Sequence, residues 1–526
     1  MADVLIPDVI SSLLDSAAYP HPVDDVEHIE THISHVLLAG EFAYKIKKSV
    51  SLGFLDYSTL ALRKHFCEEE VRLNTRLCAN VYLDTVPVVR EGTRYRIGGE
   101  GEIVEYAVKM KRVPQRLLLS ERIARDEVTL EQARAVAHRL ADFHRSAWTD
   151  ASVATYGRVG AIQRNWTENF EQTQDCVGQT LPVARQDRIA AYVERWLGDK
   201  AALIERRADN GRVRDVHGDL RSDSIVIRSS GDICIMDCIE FSDRIRCSDI
   251  AGDVGFLAMD LEFRERRDLV DEFVAAYLSD ANDESLAVLL DFYRCYRAYV
   301  RGKVEWLTRL GCADAGQRNA ADARGARYFE LADAYASRPR PARIVIMSGL
   351  SGTGKSFAAS GLAGRLGAAL LNTDRLRRSA LGLASESLLR GPIDAGAYTP
   401  DERRRVYAKM LGEARLHVAN GLPVILDATY TRRDDRVQAR DLAATLGVPF
   451  FAVEVAASDD VVRSRLAARA QQARSTSDAD WNVYVAQQRS LEPLDEIAPG
   501  QKVRIDGSAP LTSSLDLVTQ RIEQAT

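Results

Sequence analysis

No stretch of this 526-residue chain is apolar for long enough to cross a bilayer, and its first residues, MADVLIPDVISSLLDSA, carry neither a basic leader nor a small-residue cleavage site. A membrane partner is therefore not expected, and a cytoplasmic location is. Positive charge is also short: 70 Lys and Arg stand against 76 Asp and Glu, a formal net charge of -6. That balance argues against a surface dominated by a nucleic-acid groove, which needs clustered basic residues. Cysteine is scarce and irregularly placed, with eight residues at 67, 78, 176, 234, 238, 247, 295 and 312 and no Cys-x-x-Cys pair. The pattern reads as reduced thiols and not as a disulfide framework or a zinc site. Repeats and low-complexity tracts are missing too. What is present is globular composition, 46% hydrophobic and 28% charged. A chain this long is expected to form about two to four domains, since one hydrophobic core seldom serves it all.

The run Gly349-Leu350-Ser351-Gly352-Thr353-Gly354-Lys355-Ser356 fits G-x-x-x-x-G-K-[ST] in full, directly after the apolar segment Ile344 to Met347. The chemistry of such a loop is specific. Gly349, Gly352 and Gly354 permit a tight backbone that turns the amides of Ser351 and Thr353 toward phosphates. Lys355 reaches the β/γ-phosphates, and the Ser356 hydroxyl is placed to ligate Mg²⁺. ATP and Mg²⁺ are thus the expected cofactors. The helix that follows points its positive end at the anion.

Downstream, apolar segments alternate with helical ones: IVIM, AALLN, PVILD and FFAVEV each precede a helical pattern. That alternation predicts an α/β P-loop NTPase domain with a parallel sheet. Two of its strands end in carboxylates. Asp374 follows AALLN with Arg377 three residues on, so on a helix start the two share a face. Asp374 can accept a proton from a substrate hydroxyl, while Arg377 binds an acidic substrate group or steadies the transferring phosphoryl. A helix N-cap is the plain alternative for Asp374. Asp427 ends PVILD beside the P-loop, where Mg²⁺ or its water shell needs an acid. Arg463, Arg465 and Arg469 lie in one helical run. Arg465 and Arg469 share a face and suit a lid over ATP, though a solvated helix face has the same pattern. These motifs resemble the P-loop small-molecule kinases of the gluconate kinase, shikimate kinase and zeta-toxin neighbourhood over about residues 342–500; Arg436 also matches an arginine of those proteins.

Upstream, strand-like text at 35–48 and 85–111 gives way to helical patterns at 129–147 and 182–207, a second β-rich patch at 225–237 and then helix to about 335. That order predicts an α+β arrangement. His217-Gly218-Asp219-Leu220 and Met236-Asp237-Cys238-Ile239-Glu240-Phe241 place two aspartates within twenty residues. Phosphoryl transfer needs such a pair, one for the attacking hydroxyl and one for Mg²⁺. Lys45 lies on the strand-like FAYKIK, ahead of a helix carrying Glu68, Glu69 and Glu70.

Carried by HGDLRSDSI and IMDCIEF, residues of roughly 25–310 resemble the aminoglycoside phosphotransferase-type small-molecule kinases, a branch of the bilobal protein-kinase-like fold. The resemblance implies that Lys45 positions nucleotide phosphates, with Glu70 its helix partner, that Asp219 is catalytic and that Asp237 binds metal. The family pattern has an Asn five residues after the catalytic aspartate. This chain has Ser224, which leaves open a slow lobe, use of Asp223 instead, or a lobe that only binds. Lys47 shares the strand face of Lys45, so either lysine fits. The expected organisation is a kinase-like domain over 1–335, a linker at 336–342 marked by two prolines, and a P-loop kinase domain over 343–526. The expected activity is phosphoryl transfer to a hydroxyl of a small metabolite: a sugar, a sugar acid or a nucleotide sugar. A regulatory, ligand-sensing N-terminal lobe is the alternative.

Overall fold

The computed structural model describes residues 6–53, 55–228, 230–380, 399–470 and 480–525. The chain folds into two compact units. The first comprises residues 1–128, 142–165 and 199–260; the second comprises 129–141, 166–198 and 261–526.

The first unit is built on an antiparallel six-stranded sheet. Its strands are β1 (Val26–Glu30), β2 (Ser34–Ala39), β3 (Phe42–Lys47), β4 (Tyr82–Glu91), β5 (Arg94–Ile97) and β6 (Glu102–Lys111), in the order β1-β2-β3-β6-β4-β5. On β3, Tyr44 and Ile46 face a core with Leu37, Ala39, Val88 and Ala107. The period of two turns Lys45 and Lys47 to the other face. Helix α1 (Leu60–Cys78) begins at the Thr59 cap, whose side chain accepts from the Leu62 amide, and buries Glu70. Two short strands, β7 (Ile225–Ile227) and β8 (Ile233–Ile235), form the hairpin between the two aspartate motifs. The small antiparallel sheet and the P-loop domain's parallel one match the expected fold classes.

The second unit holds a five-stranded, all-parallel sheet: β9 (Ile344–Ser348), β10 (Ala369–Asn372), β11 (Val424–Asp427), β12 (Phe450–Ala456) and β13 (Lys502–Asp506). The order is β10-β11-β9-β12-β13. β9 and β11 are buried at every residue, as parallel strands covered on both faces must be. The same unit also contains helix α2 (Arg267–Ala281), which packs directly on the P-loop helix α3 (Lys355–Leu366). Gly364 allows the approach: a Cβ there would lie 2.5 Å from the Val274 side chain. Arg365 pairs with Asp271 at 2.5 Å, and the hydroxyls of Ser279 and Ser360 meet at 3.3 Å.

The segment 336–342 makes ion pairs within the second unit. Arg338 pairs with Glu262 at 2.8 Å, and the Arg340 guanidinium donates to Asp291 at 3.0 Å, so the proline-bearing segment is tied to its neighbours. One expectation is corrected: not all eight thiols are reduced, since Cys78 and Cys234 are joined, with Cα atoms 4.8 Å apart and six cysteines free. The end of α1 lies beside β8 only after folding, and a separation of 156 residues carries no spacing signal.

Candidate active sites

In the first unit a chain of alternating charges links β3, α1 and the segment after β8. Lys45 Nζ donates to Glu70 Oε1 at 2.8 Å and to Asp237 Oδ1 at 3.1 Å. Burial opposes the Lys45 charge, but Asp237 and Glu70 outweigh it and hold its pKa well above the ordinary lysine value. Lys45 likewise keeps the Asp237 carboxyl below the usual aspartate range. Asp237 has φ 63°, a left-handed backbone that Asp adopts more readily than most residues. Two contacts fix it there. Its amide donates to Tyr82 Oη at 3.1 Å, and the next amide, of Cys238, donates to Asn74 Oδ1 at 2.9 Å. Asn74 lies one helical turn beyond Glu70, so α1 holds both the lysine and the aspartate loop.

The HGD segment is ordered from behind. His217 Nε2 donates to the Met236 carbonyl at 2.8 Å, which leaves Nδ1 to accept from the Asp219 amide at 3.3 Å. Burial keeps this imidazole's pKa low and the ring neutral. Asp253, fully buried, accepts from the amides of His217 and Gly218 at 2.8 and 3.0 Å and pairs with His144 at 3.3 Å. Burial alone would raise its pKa, yet His144, His217 and these amides draw it down to about 2.

Because the folded pKa lies below the unfolded one, Asp253 contributes stability above about pH 4. That contribution, about 2 kcal/mol, is lost as pH falls through about 2. The thermal midpoint of Asp253→Asn is expected to lie below that of the parent at pH 7, with the gap narrowing toward pH 2. A gap that does not change with pH would contradict this assignment.

Asp219 is not alone. Arg221 Nη2 donates to its Oδ2 at 3.2 Å, while Arg221 Nη1 donates to Asp223 at 2.9 Å. Ser224 is occupied by the turn: its hydroxyl donates to the Arg221 carbonyl at 2.8 Å and accepts from the Arg221 amide at 3.3 Å. Both residues raised for the missing Asn position are thus engaged with Arg221. The sequence signals neither this arginine's role nor that of Asp253.

In the second unit the P-loop runs from β9 into α3 with Gly349, Gly352 and Gly354 at φ 151°, 83° and 94°. The positive values are what glycine supplies. The Ser351 amide donates to Gln487 Oε1 at 2.9 Å, and the Thr353 hydroxyl closes the loop on the Leu350 carbonyl at 2.8 Å. Lys355 is hydrogen-bonded to Asp427 Oδ1, and Asn372 Nδ2 donates to Oδ2 at 2.5 Å. Burial would lift the Asp427 pKa, but Lys355, Ser356 and Asn372 outweigh it and hold the carboxyl ionised.

Asn372 also settles the capping question. Its Oδ1 accepts from the amides of Asp374 and Arg375 at 2.9 and 3.1 Å, so the cap of α4 (Thr373–Ala380) is Asn372 and not Asp374. Asp374 instead pairs with Arg377 at 2.8 Å, in the expected i,i+3 geometry. Arg375, between them, donates to the carbonyls of Leu278 and Ser279 at 3.0 and 2.8 Å, the last turn of α2.

The arginines expected of a lid are placed differently from one another. Arg465, on helix α5 (Asp459–Ala470), donates to the carbonyls of Thr353 and Gly507 at 3.0 and 2.8 Å, bracing the base of the P-loop. Arg463 stacks on Trp481, 4.3 Å from the ring centroid. The Arg469 side chain lies outside the described residues. Arg436 is fully buried and bonds Glu496 and the carbonyls of Tyr430 and Pro493, a structural anchor. Gly507 was not legible as a site residue, yet a Cβ on it would come within 1.8 Å of the Thr353 carbonyl. Only glycine lets β13 end against the P-loop.

A family model described as the phosphotransferase enzyme family matches residues 62–289, and one described as an AAA domain matches 344–494. An uncharacterized protein of Mycobacterium tuberculosis (strain ATCC 25618 / H37Rv) is 34% identical over 459 residues, spanning 87% of this chain and 89% of its own. An uncharacterized protein of Mycobacterium bovis matches to the same extent. Among solved structures, aminoglycoside 2'-phosphotransferase-IIIa in its GDP complex covers 64% of this chain and 99% of its own at 14% identity and TM-score 0.41. A gluconokinase from Sinorhizobium meliloti 1021 covers 36% and 93% at 22% identity and TM-score 0.25. The chain belongs to one family with the mycobacterial proteins, and is itself an enzyme in which a phosphotransferase-family kinase domain is fused to a P-loop kinase domain.

Proposed function

We propose that the chain transfers a phosphoryl group from ATP, with Mg²⁺, to a hydroxyl of a small sugar, sugar acid or nucleotide sugar, and that the P-loop domain is the main catalyst. The observation that carries this is the contact of Asp427 with both Lys355 and Ser356, with Asp374 starting the helix on the neighbouring strand. In this reading Lys355 holds the β/γ-phosphates, and Gly349, Ser351, Gly352, Thr353 and Gly354 wrap them. Ser356 and Asp427 hold Mg²⁺, Asp374 takes the acceptor proton, and Arg377 fixes Asp374 or an acidic acceptor. Mg²⁺ binds through one or two protein oxygens plus phosphates, and these residues fit that donor set. The joint between domains is assigned to 336–342, and the location to the cytoplasm.

A second reading is favoured by Ser224, which is spent on the Arg221 turn. In it the N-terminal lobe binds ATP through Lys45, Glu70 and Asp237 but turns over weakly through Asp219, and regulates the P-loop domain. The full chain, its Lys355→Ala form and its Asp219→Asn form are to be assayed with Mg·ATP against sugars, sugar acids, aminoglycosides and nucleotide sugars. Transfer lost with Lys355→Ala and kept with Asp219→Asn is the expected result. Loss with Asp219→Asn alone would move the chemistry to the N-terminal lobe, and no transfer to any of these acceptors would overturn the proposed substrate class.

A further inference from the structure

We propose that Lys47 and Glu240 are positioning residues for the N-terminal nucleotide site. They form a second lysine–carboxylate bridge, parallel to that of Lys45, that holds Glu70 and the Asp237 segment in register. The inference rests on the reading that this lobe binds Mg·ATP through Lys45 and Asp237.

The two oxygens of Glu70 are divided between the two lysines. Oε1 accepts from Lys45 at 2.8 Å, and Oε2 accepts from Lys47 at 2.7 Å. Lys47 also bonds Glu240 Oε1, which in turn accepts from Tyr57 Oη at 2.6 Å. The Lys47 ammonium lies 4.8 Å from the Tyr57 ring centroid. Lys47 is fully buried, as is Glu70, whereas Lys45 and Asp237 reach the surface. The cluster therefore has a working end and a hidden end. Lys45 and Asp237 are open to a ligand, and Lys47, Glu240 and Tyr57 are closed to one.

That asymmetry assigns the roles. Lys45 has three N–H donors, two of them given to Glu70 and Asp237, so a nucleotide phosphate that takes the third shares the lysine's charge with both carboxylates. Glu70 is then a buried carboxylate whose Lys45 partner is shared with the ligand, and the bond from buried Lys47 keeps it charged and in place. Glu240 lies three residues beyond Asp237 on the same segment, so the Lys47 bridge also ties that segment to α1. A buried lysine that merely cancelled the Glu240 charge would not need the second bond to Glu70.

The test uses the full chain carrying Lys355→Ala, titrated with Mg·ATP well below the thermal midpoint of each variant. Lys45→Ala is the control for the underlying reading, and unchanged Mg·ATP affinity in it would overturn that reading. The double variant Lys47→Met/Glu240→Leu removes both buried charges together, which buried ion pairs commonly tolerate in stability. Its expected Mg·ATP affinity is about 10- to 100-fold weaker, the usual cost of losing an outer-shell partner. Parental affinity in the folded double variant would show that Lys47 only neutralises Glu240 and would overturn the proposal. Should the double variant not fold, Glu240→Leu alone is read in its place. It keeps the Lys47–Glu70 bond and, having no side-chain acceptor, unties the Asp237 segment, so about tenfold weaker binding is expected, and parental binding overturns the proposal.

Discussion

Replacing Lys355 by alanine is expected to lower both phosphoryl transfer and background ATP hydrolysis by the P-loop domain about 10²- to 10³-fold. The side chain lies against Asp427, the residue that also meets Ser356, and on the proposed reading its charge sits where the transferring phosphoryl gains negative charge. Removing one preorganised group of that kind costs about 3–4 kcal/mol, or roughly 10²- to 10³-fold in rate. Asp374→Asn is expected to fail differently. The substitution keeps the shape and leaves the Asn372 cap of α4 intact, since Asn372 and not Asp374 accepts the first amides. Transfer to the acceptor should fall by about 10²- to 10⁴-fold, the usual worth of a general base, while nucleotide affinity stays. Steady-state transfer, acceptor-free hydrolysis and a nucleotide titration on both variants separate the two. Weakened nucleotide binding in Asp374→Asn with unchanged transfer would make Asp374 a metal ligand and not a base.

The P-loop was legible because everything it needs is local: a strand, a glycine pattern and a helix in one run of residues. The pairing of Asp374 with Arg377 was legible for the same reason, as a three-residue spacing on a helix. Strands at 344–348, 369–372, 424–427 and 450–456 follow the apolar segments closely, but β13, KVRID, escaped because its mixed charge hides an edge strand.

Long-range partners were not legible. Lys45 and Lys47 share a strand face, and period alone cannot tell them apart. Contacts separated by 192 and 193 residues in sequence, with Asp237 and Glu240, do so. Arg465 was expected in a lid from its helical spacing, which reports a face and not what lies against it. Its bonds to Thr353 and Gly507 come from chain segments 112 and 42 residues away. The proline-bearing segment at 336–342 has a linker's composition, which says nothing of the partners its arginines find, Glu262 and Asp291.

In the N-terminal lobe, Asp237→Asn and Asp219→Asn are expected to separate nucleotide binding from transfer. Asparagine tolerates the left-handed backbone at φ 63°, so the Tyr82 and Asn74 contacts to the segment should survive. What is lost is the charge that pairs with Lys45 and would face Mg²⁺, and Mg·ATP affinity should fall by about 10- to 100-fold. Asp219 has a different neighbourhood. Its carboxylate pairs with Arg221, not with Lys45, and its amide is held by His217. Asp219→Asn should therefore leave Mg·ATP affinity near the parental value and lower the lobe's transfer by about 10²- to 10⁴-fold. On the proposed reading Arg221 also competes with the acceptor, because its Nε and Nη2 donate to Asp219 Oδ2 at 3.3 and 3.2 Å, an oxygen that an acceptor hydroxyl would have to share. Arg221→Gln is then expected to raise turnover in a chain whose P-loop carries Lys355→Ala. Equal loss of Mg·ATP affinity in Asp219→Asn and Asp237→Asn would contradict this division of labour, because both aspartates would then serve the nucleotide and neither the acceptor.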